Sequence, residues 1–113
     1  MESTRQKKIG KLLQRDISEM FQREARDHTK GAMVSVTVVR VTTDLSIAKV
    51  YLSIFPTGKK EEVFEHITEN ASQLRYFLGQ RVGKQLRVIP ELHFFIDDSL
   101  DYIDNIDRLL KND

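Results

Sequence analysis

Apolar residues Ile9, Leu12, Leu13, Ile17, Met20 and Phe21 recur at three- and four-residue steps. That spacing puts them on one face of a helix and predicts one over about 4–26, with Ser3 or Thr4 as its cap. Lys30-Gly31 closes the exit loop, and the β-branched run that follows predicts a strand over about 34–42. Its alternation (Val34, Val36, Val38) changes phase at Val39 and Val41, the mark of a bulge or of burial on both faces. Thr43-Asp44-Leu45 is a turn. A second strand over about 46–55 then sets Ala48, Val50, Leu52 and Ile54 on one side and Lys49, Tyr51 and Phe55 on the other.

Pro56-Thr57-Gly58 breaks the chain before a long helical stripe, Val63, Phe64, Ile67, Ala71, Leu74, Leu78 and Val82, over about 60–86. Gly79 and Gly83 weaken it, so two shorter helices meeting at an angle are expected. Beyond Pro90, Leu92, Phe94 and Ile96 predict a third strand over about 91–97. Asp98 or Ser99 can cap a last helix over about 99–110, with Leu100, Ile103, Ile106 and Leu110 inward. The order is helix, hairpin, helix pair, strand, helix. A helical crossover between the second and third strands predicts an α+β domain with a three-stranded mixed sheet and helices on one face. The expected core is Leu13, Ile17, Val36, Val50, Leu52, Ile67, Leu74, Leu78 and Phe94.

The 113 residues hold no cysteine, which removes disulfides, thiolate zinc sites and thiol nucleophiles. No run approaches the ~20 apolar residues of a membrane span, and the polar N-terminus lacks a signal-peptide core, so a cytoplasmic protein is expected. The net charge of +1 hides an asymmetry. Residues 97–113 balance to −4 and the remainder to +5. From Asn70 to Pro90 stand Arg75, Arg81, Lys84 and Arg87 with no acid, and ahead of Asp16 five cations face Glu2 alone. Basic segments of this kind attract a phosphate backbone.

Catalytic chemistry finds little support. His28, His66 and His93 fall in a loop, a helix and a strand without ligand spacing. The stretch Gly79 to Gln85 has three residues between its glycines and Gln after Lys84, so it is neither a P-loop nor a Gly-x-x-Gly clamp. Asp98, Asp101, Asp104 and Asp107 lack the glycine turn of a calcium loop and read as a solvated helix face. No cofactor, metal or small-molecule substrate is expected. In the helix pair, Gln73, Gln80, Lys84 and Arg87 project opposite the apolar stripe, while Arg75 and Arg81 flank it. With Lys7 and Lys11 of the first helix they form the candidate RNA-binding set: Lys7, Lys11, Arg75, Arg81, Lys84 and Arg87. Tyr51, Phe55 and Phe95 could stack bases, or pack beneath the last helix.

Arg87-Val88-Ile89-Pro90-Glu91-Leu92-His93-Phe94 followed by Asp97-Asp98-Ser99, together with Asp44-Leu45-Ser46-Ile47-Ala48-Lys49-Val50-Tyr51, resembles the bacterial ribosome-binding factor A family. The Lys8-Ile9 helix and the length extend the resemblance over nearly the whole chain. It implies a type II KH-like domain (α-β-β-α-α-β) over 1–97, with 98–113 as an acidic C-terminal helix or tail packed on or extending it. It also implies a monomeric assembly factor that binds the immature small (30S) ribosomal subunit and 16S rRNA and assists rRNA processing and maturation. The family's interhelical Ala-x-Gly kink would fall at Ala71, Ser72 and Gln73, with Gln in place of Gly. Many relatives carry a glycine where this chain has Ile103, which implies a more regular last helix here. The rival reading is a KH-like protein-interaction adaptor with no direct RNA binding.

Overall fold

In the computed structural model, which describes residues 2–97, the first helix α1 (Thr4–Gln22) opens with a reciprocal cap. Ser3 Oγ accepts from the Gln6 backbone N–H at 3.1 Å, and Gln6 Oε1 accepts from the Ser3 N–H at 2.8 Å. Two donors of the first turn, which no helical carbonyl can reach, are thereby satisfied. Gln6 Nε2 also donates to the Val41 carbonyl at 2.8 Å, tying the helix start to the sheet.

The helix stops short of the expected end near 26. At Arg23 the backbone leaves helical values (φ −123°, ψ −90°). The buried Ala25 donates back to the Met20 carbonyl at 2.8 Å, and a 3-10 turn follows over Arg26–Thr29. Lys30 and Gly31, at φ 51° and 81°, then swing the chain into β1 (Met33–Val41). Glycine takes such a φ at no steric cost.

β1 pairs antiparallel with β2 (Ile47–Phe55), and its phase change is a bulge. Val36 lies opposite Leu52 and Val38 opposite Tyr51, so Thr37 is the extra residue. Val34 and Val36 before it, and Val39 and Val41 after it, therefore all reach the core. α1 crosses β1 here at close range: a Cβ on Gly10 would stand 2.8 Å from the Val39 carbonyl oxygen.

In the turn between β1 and β2, Asp44 Oδ1 accepts from Thr42 Oγ1, the Ser46 N–H and Ser46 Oγ at 2.8, 3.1 and 2.7 Å. Bonds from the Ser46 side chain, then Thr42 and the Ser46 backbone, hold the Asp44 carboxyl below its ordinary value. Leu45 sits at φ 62°, a conformation that costs an L-residue roughly 1–2 kcal/mol.

After a 3-10 turn at Thr57–Lys59 come α2 (Lys60–Glu69) and α3 (Ala71–Val82). The break falls at Asn70, whose Nδ2 donates to the His66 carbonyl at 2.8 Å and closes α2. Ala71, Ser72 and Gln73 form the first turn of α3, and the break uses no positive φ. α3 ends at Val82, before the expected 86, because the Gln85 and Leu86 N–H groups both fold back on the Val82 carbonyl.

β3 (Glu91–Ile96) completes a sheet of order β1-β2-β3, parallel to β2. This is the expected mixed α+β architecture. One sheet face packs with the three helices around Leu13, Ile17, Val36, Val50, Leu52, Ile67, Leu74, Leu78 and Phe94, all buried as expected. The helix expected over about 99–110 lies outside the described residues.

Candidate nucleic-acid interface

The cations of the helix pair divide into two groups. Arg81 is turned inward, its side chain only 14% exposed, against three carboxylates of α1 and its exit. Its Nε lies 3.4 Å from Asp16 Oδ1, its Nη1 donates to Glu24 Oε1 at 2.8 Å, and its Nη2 donates to Glu19. Burial works against the Arg81 charge, but Glu24, Glu19 and Asp16 outweigh it and raise the pKa. Burial likewise pushes the Glu24 carboxyl up, yet a backbone bond and Arg81 hold it below its ordinary value. Arg81 is thus an α1–α3 clamp whose charge is already met. Arg75 donates through Nε to the Ile89 and Pro90 carbonyls, each at 3.2 Å, and so braces the segment that leads into β3. It remains exposed, so its charge is still open to a phosphate.

Lys7, Lys11, Lys84 and Arg87 are all exposed, and none makes a side-chain hydrogen bond or ion pair among the described residues. Because α3 stops at Val82, Lys84 and Arg87 stand on the connecting segment 83–90 and not on a helix. That segment, the N-terminal turns of α1 and the β1–β2 turn border an open cleft. Its larger part, about 660 Å³, is lined by Thr4, Arg5, Lys8, Ile9, Leu12, Gln85, Leu86 and Arg87. A second part of about 290 Å³ shares Arg5, Ile9, Leu86 and Arg87 and continues past Leu45 to Val88 and Pro90.

Of the six residues expected to hold RNA, only Arg87 lines this cleft. Arg5 and Lys8, which line it with Arg87, were visible in the sequence only as part of a cationic run. Which helical cations face a neighbouring loop depends on where that loop packs, and helical spacing does not reveal it.

The outward sheet face carries Tyr51 and Phe95 stacked at 5.3 Å, with Met33 and Phe55 exposed beside them. His93 points outward too, 3.3 Å from Glu91. His28 and His66, far apart in sequence, meet at 2.9 Å between Nδ1 and Nε2. Among the described residues no three metal-ligating side chains gather, and no helix is long and apolar enough to cross a membrane.

An α-β-β-α-α-β order and a mixed three-stranded sheet define a KH-like α+β module, here with a cleft whose lining cations are unpaired among the described residues. The sequence profile of ribosome-binding factor A matches residues 5–110, and the chain belongs to that family. It is 51% identical over 111 residues to ribosome-binding factor A of Christiangramia forsetii, covering 97% of this chain and 85% of that protein. It is 42% identical over 106 residues to that of Clostridium botulinum, covering 92% and 90%. The fold is similar to the crystal structure of ribosome-binding factor A from Thermus thermophilus, with TM-score 0.66 and 23% identity over 80% of this chain and 94% of the other. A Thermus thermophilus homology model fitted into a cryo-EM map of a 30S–RbfA complex gives 0.62 and 24%, covering 78% and 90%.

Proposed function

We infer that this protein binds the small ribosomal subunit and 16S rRNA, and assists rRNA processing and maturation as a non-enzymatic assembly factor. Family membership supports the ribosomal partner. The observation that carries direct RNA contact is the set of exposed cations on α1 and segment 83–90, unpaired among the described residues, the latter lying in a stretch from Asn70 to Pro90 that has no acid. Lys7, Lys11, Lys84 and Arg87, joined by Arg5, Lys8 and the outer face of Arg75, grip phosphates and fix the protein's orientation on RNA. Arg81 contributes indirectly, by holding α3 against α1. Tighter binding to one rRNA conformation of the immature particle favours that conformation during assembly, because a ligand shifts an equilibrium only by its differential affinity. Weaker binding to the mature particle lets the factor leave.

The stacked Tyr51–Phe95 pair supports a second reading, a protein-interaction adaptor that uses the outward sheet face. Sedimentation of a lysate, with the protein detected across the ribosomal fractions, tests the first. Co-migration with free small subunits is expected, with loss from that fraction in high salt. A protein that stays at the top of the gradient at every ionic strength would refute subunit binding.

A further inference from the structure

The cleft between α1, segment 83–90 and the β1–β2 turn differs in kind from a surface that only grips phosphates. Its floor is apolar, built from Ile9, Leu12, Leu45 and Leu86, with the 70%-exposed Val88 at one mouth. Its lining also includes the exposed cations Arg5, Lys8 and Arg87. Among the described residues the one acid at its edge, Asp44, already accepts three hydrogen bonds from its own turn. Leu45 is held there at φ 62°, where glycine or asparagine would sit with less strain. Its side chain packs against the core cluster from there, as do those of Ile9 and Leu86, so the floor of the cleft is a half-buried edge of the core itself.

We propose that this cleft receives one unpaired nucleobase of an RNA strand, with the base on the apolar floor and its flanking phosphates on Arg5, Lys8 and Arg87. The inference rests on the RNA-binding reading and deepens it. A duplex keeps its bases stacked inside and offers the cleft only charge, whereas a single-stranded or extruded nucleotide matches floor and rim together. The part that Leu45 and Val88 line, about 290 Å³, shares Arg5, Ile9, Leu86 and Arg87 with the part of about 660 Å³ beside Lys8, and the two together leave room for a base with its ribose. Packing of a base on an apolar floor is tolerant of sequence, so the site prefers single strands over duplex, and any choice among bases falls to Thr4 and Gln85, which share the lining.

The test uses the full chain, fluorescein-labelled decauridine as probe, and unlabelled decauridine or inorganic polyphosphate as competitor. Polyphosphate carries the charge without the bases. At equal phosphate concentration, decauridine should compete about 10-fold better, a difference that burial of apolar base surface supplies. Leu45→Gly, which relieves the φ while removing floor, should bring the two competitors to within about 3-fold of each other. Val88→Ser, at an exposed position that does not threaten the fold, should narrow the gap in the same direction. Lys8→Ala should weaken both competitors alike. Equal competition by polyphosphate in the wild type would overturn the base site while leaving phosphate gripping intact. So would failure to bind decauridine by a protein that still sediments with small subunits. Displacement by phosphatidylglycerol vesicles in preference to decauridine would reassign the cleft to a lipid surface. Loss of small-subunit binding itself would instead refute the reading on which the site rests.

Discussion

Arg81 and Glu24 show how one side chain's surroundings decide whether its charge faces a partner or the protein itself. Arg81 sits against Asp16, Glu19 and Glu24, so its removal leaves three carboxylates facing one another at the α1–α3 seam. Arg81→Ala should therefore destabilise the fold by about 2 kcal/mol, as loss of charged hydrogen bonds does. Chemical denaturation would reveal it, and an unchanged midpoint would show that the clamp contributes nothing. Glu24 makes the pH dependence testable. Its carboxyl is held below its ordinary value of 4.5, so its contribution is fully present above that value and fades as pH falls through the lower, folded value. The difference in urea midpoint between wild type and Glu24→Gln should stay constant from pH 7 to about 5 and shrink at lower pH. A difference that grew on acidification would contradict the assigned direction.

At the scale of elements, the contact between α1 and the bulged β1 sets the geometry of the helical layer. Gly10 permits it, since any larger side chain would meet the Val39 carbonyl at 2.8 Å. Alanine is the better helix former by roughly 1 kcal/mol, so propensity alone argues for a gain. The clash is with backbone, which cannot rotate away, and forced displacement of this kind costs about 1–3 kcal/mol. Gly10→Ala should therefore lower the melting temperature despite its higher propensity, and a rise would show that α1 can lift from β1 cheaply. Glycine is a weak helix former wherever it stands, and helical spacing alone gives no reason for Gly10. The carbonyl opposite it was not visible in the sequence, because that depends on where the bulge at Thr37 places the strand.

For the whole molecule, the proposed RNA contact has a countable consequence, the number of phosphates that the cationic surface would neutralise. With about four contacts to duplex-like RNA, log affinity should fall against log salt with a slope of about −3 to −4, because each neutralised phosphate releases a counterion. Lys84→Ala with Arg87→Ala should flatten that slope by about 1–2 units. Both residues are exposed and unpaired among the described residues, so stability should not change. Lys59→Ala serves as the control, since Lys59 lies in the 3-10 turn ahead of α2 and outside the proposed surface. A double variant with wild-type slope would move the RNA contact elsewhere, first to the stacked Tyr51–Phe95 pair on the sheet face.

Local pattern by itself determined the element order through β3, nine apolar residues of the core and the phase change in β1. These depend on periodicity within one segment, and a sequence displays that directly. The turn at Asp44 was legible for the same reason, since its hydrogen bonds run between neighbours. Tertiary structure alone decided what each cation is for. Arg75, Arg81, Lys84 and Arg87 look alike along the chain, yet Arg81 meets acids 57 to 65 residues away, and Arg75 meets carbonyls 14 and 15 residues on. Arg87 joins Arg5 and Lys8 around an apolar cleft that no single segment contains. Charge is a property of the residue, but availability of that charge depends on which distant groups the fold brings within a few ångströms.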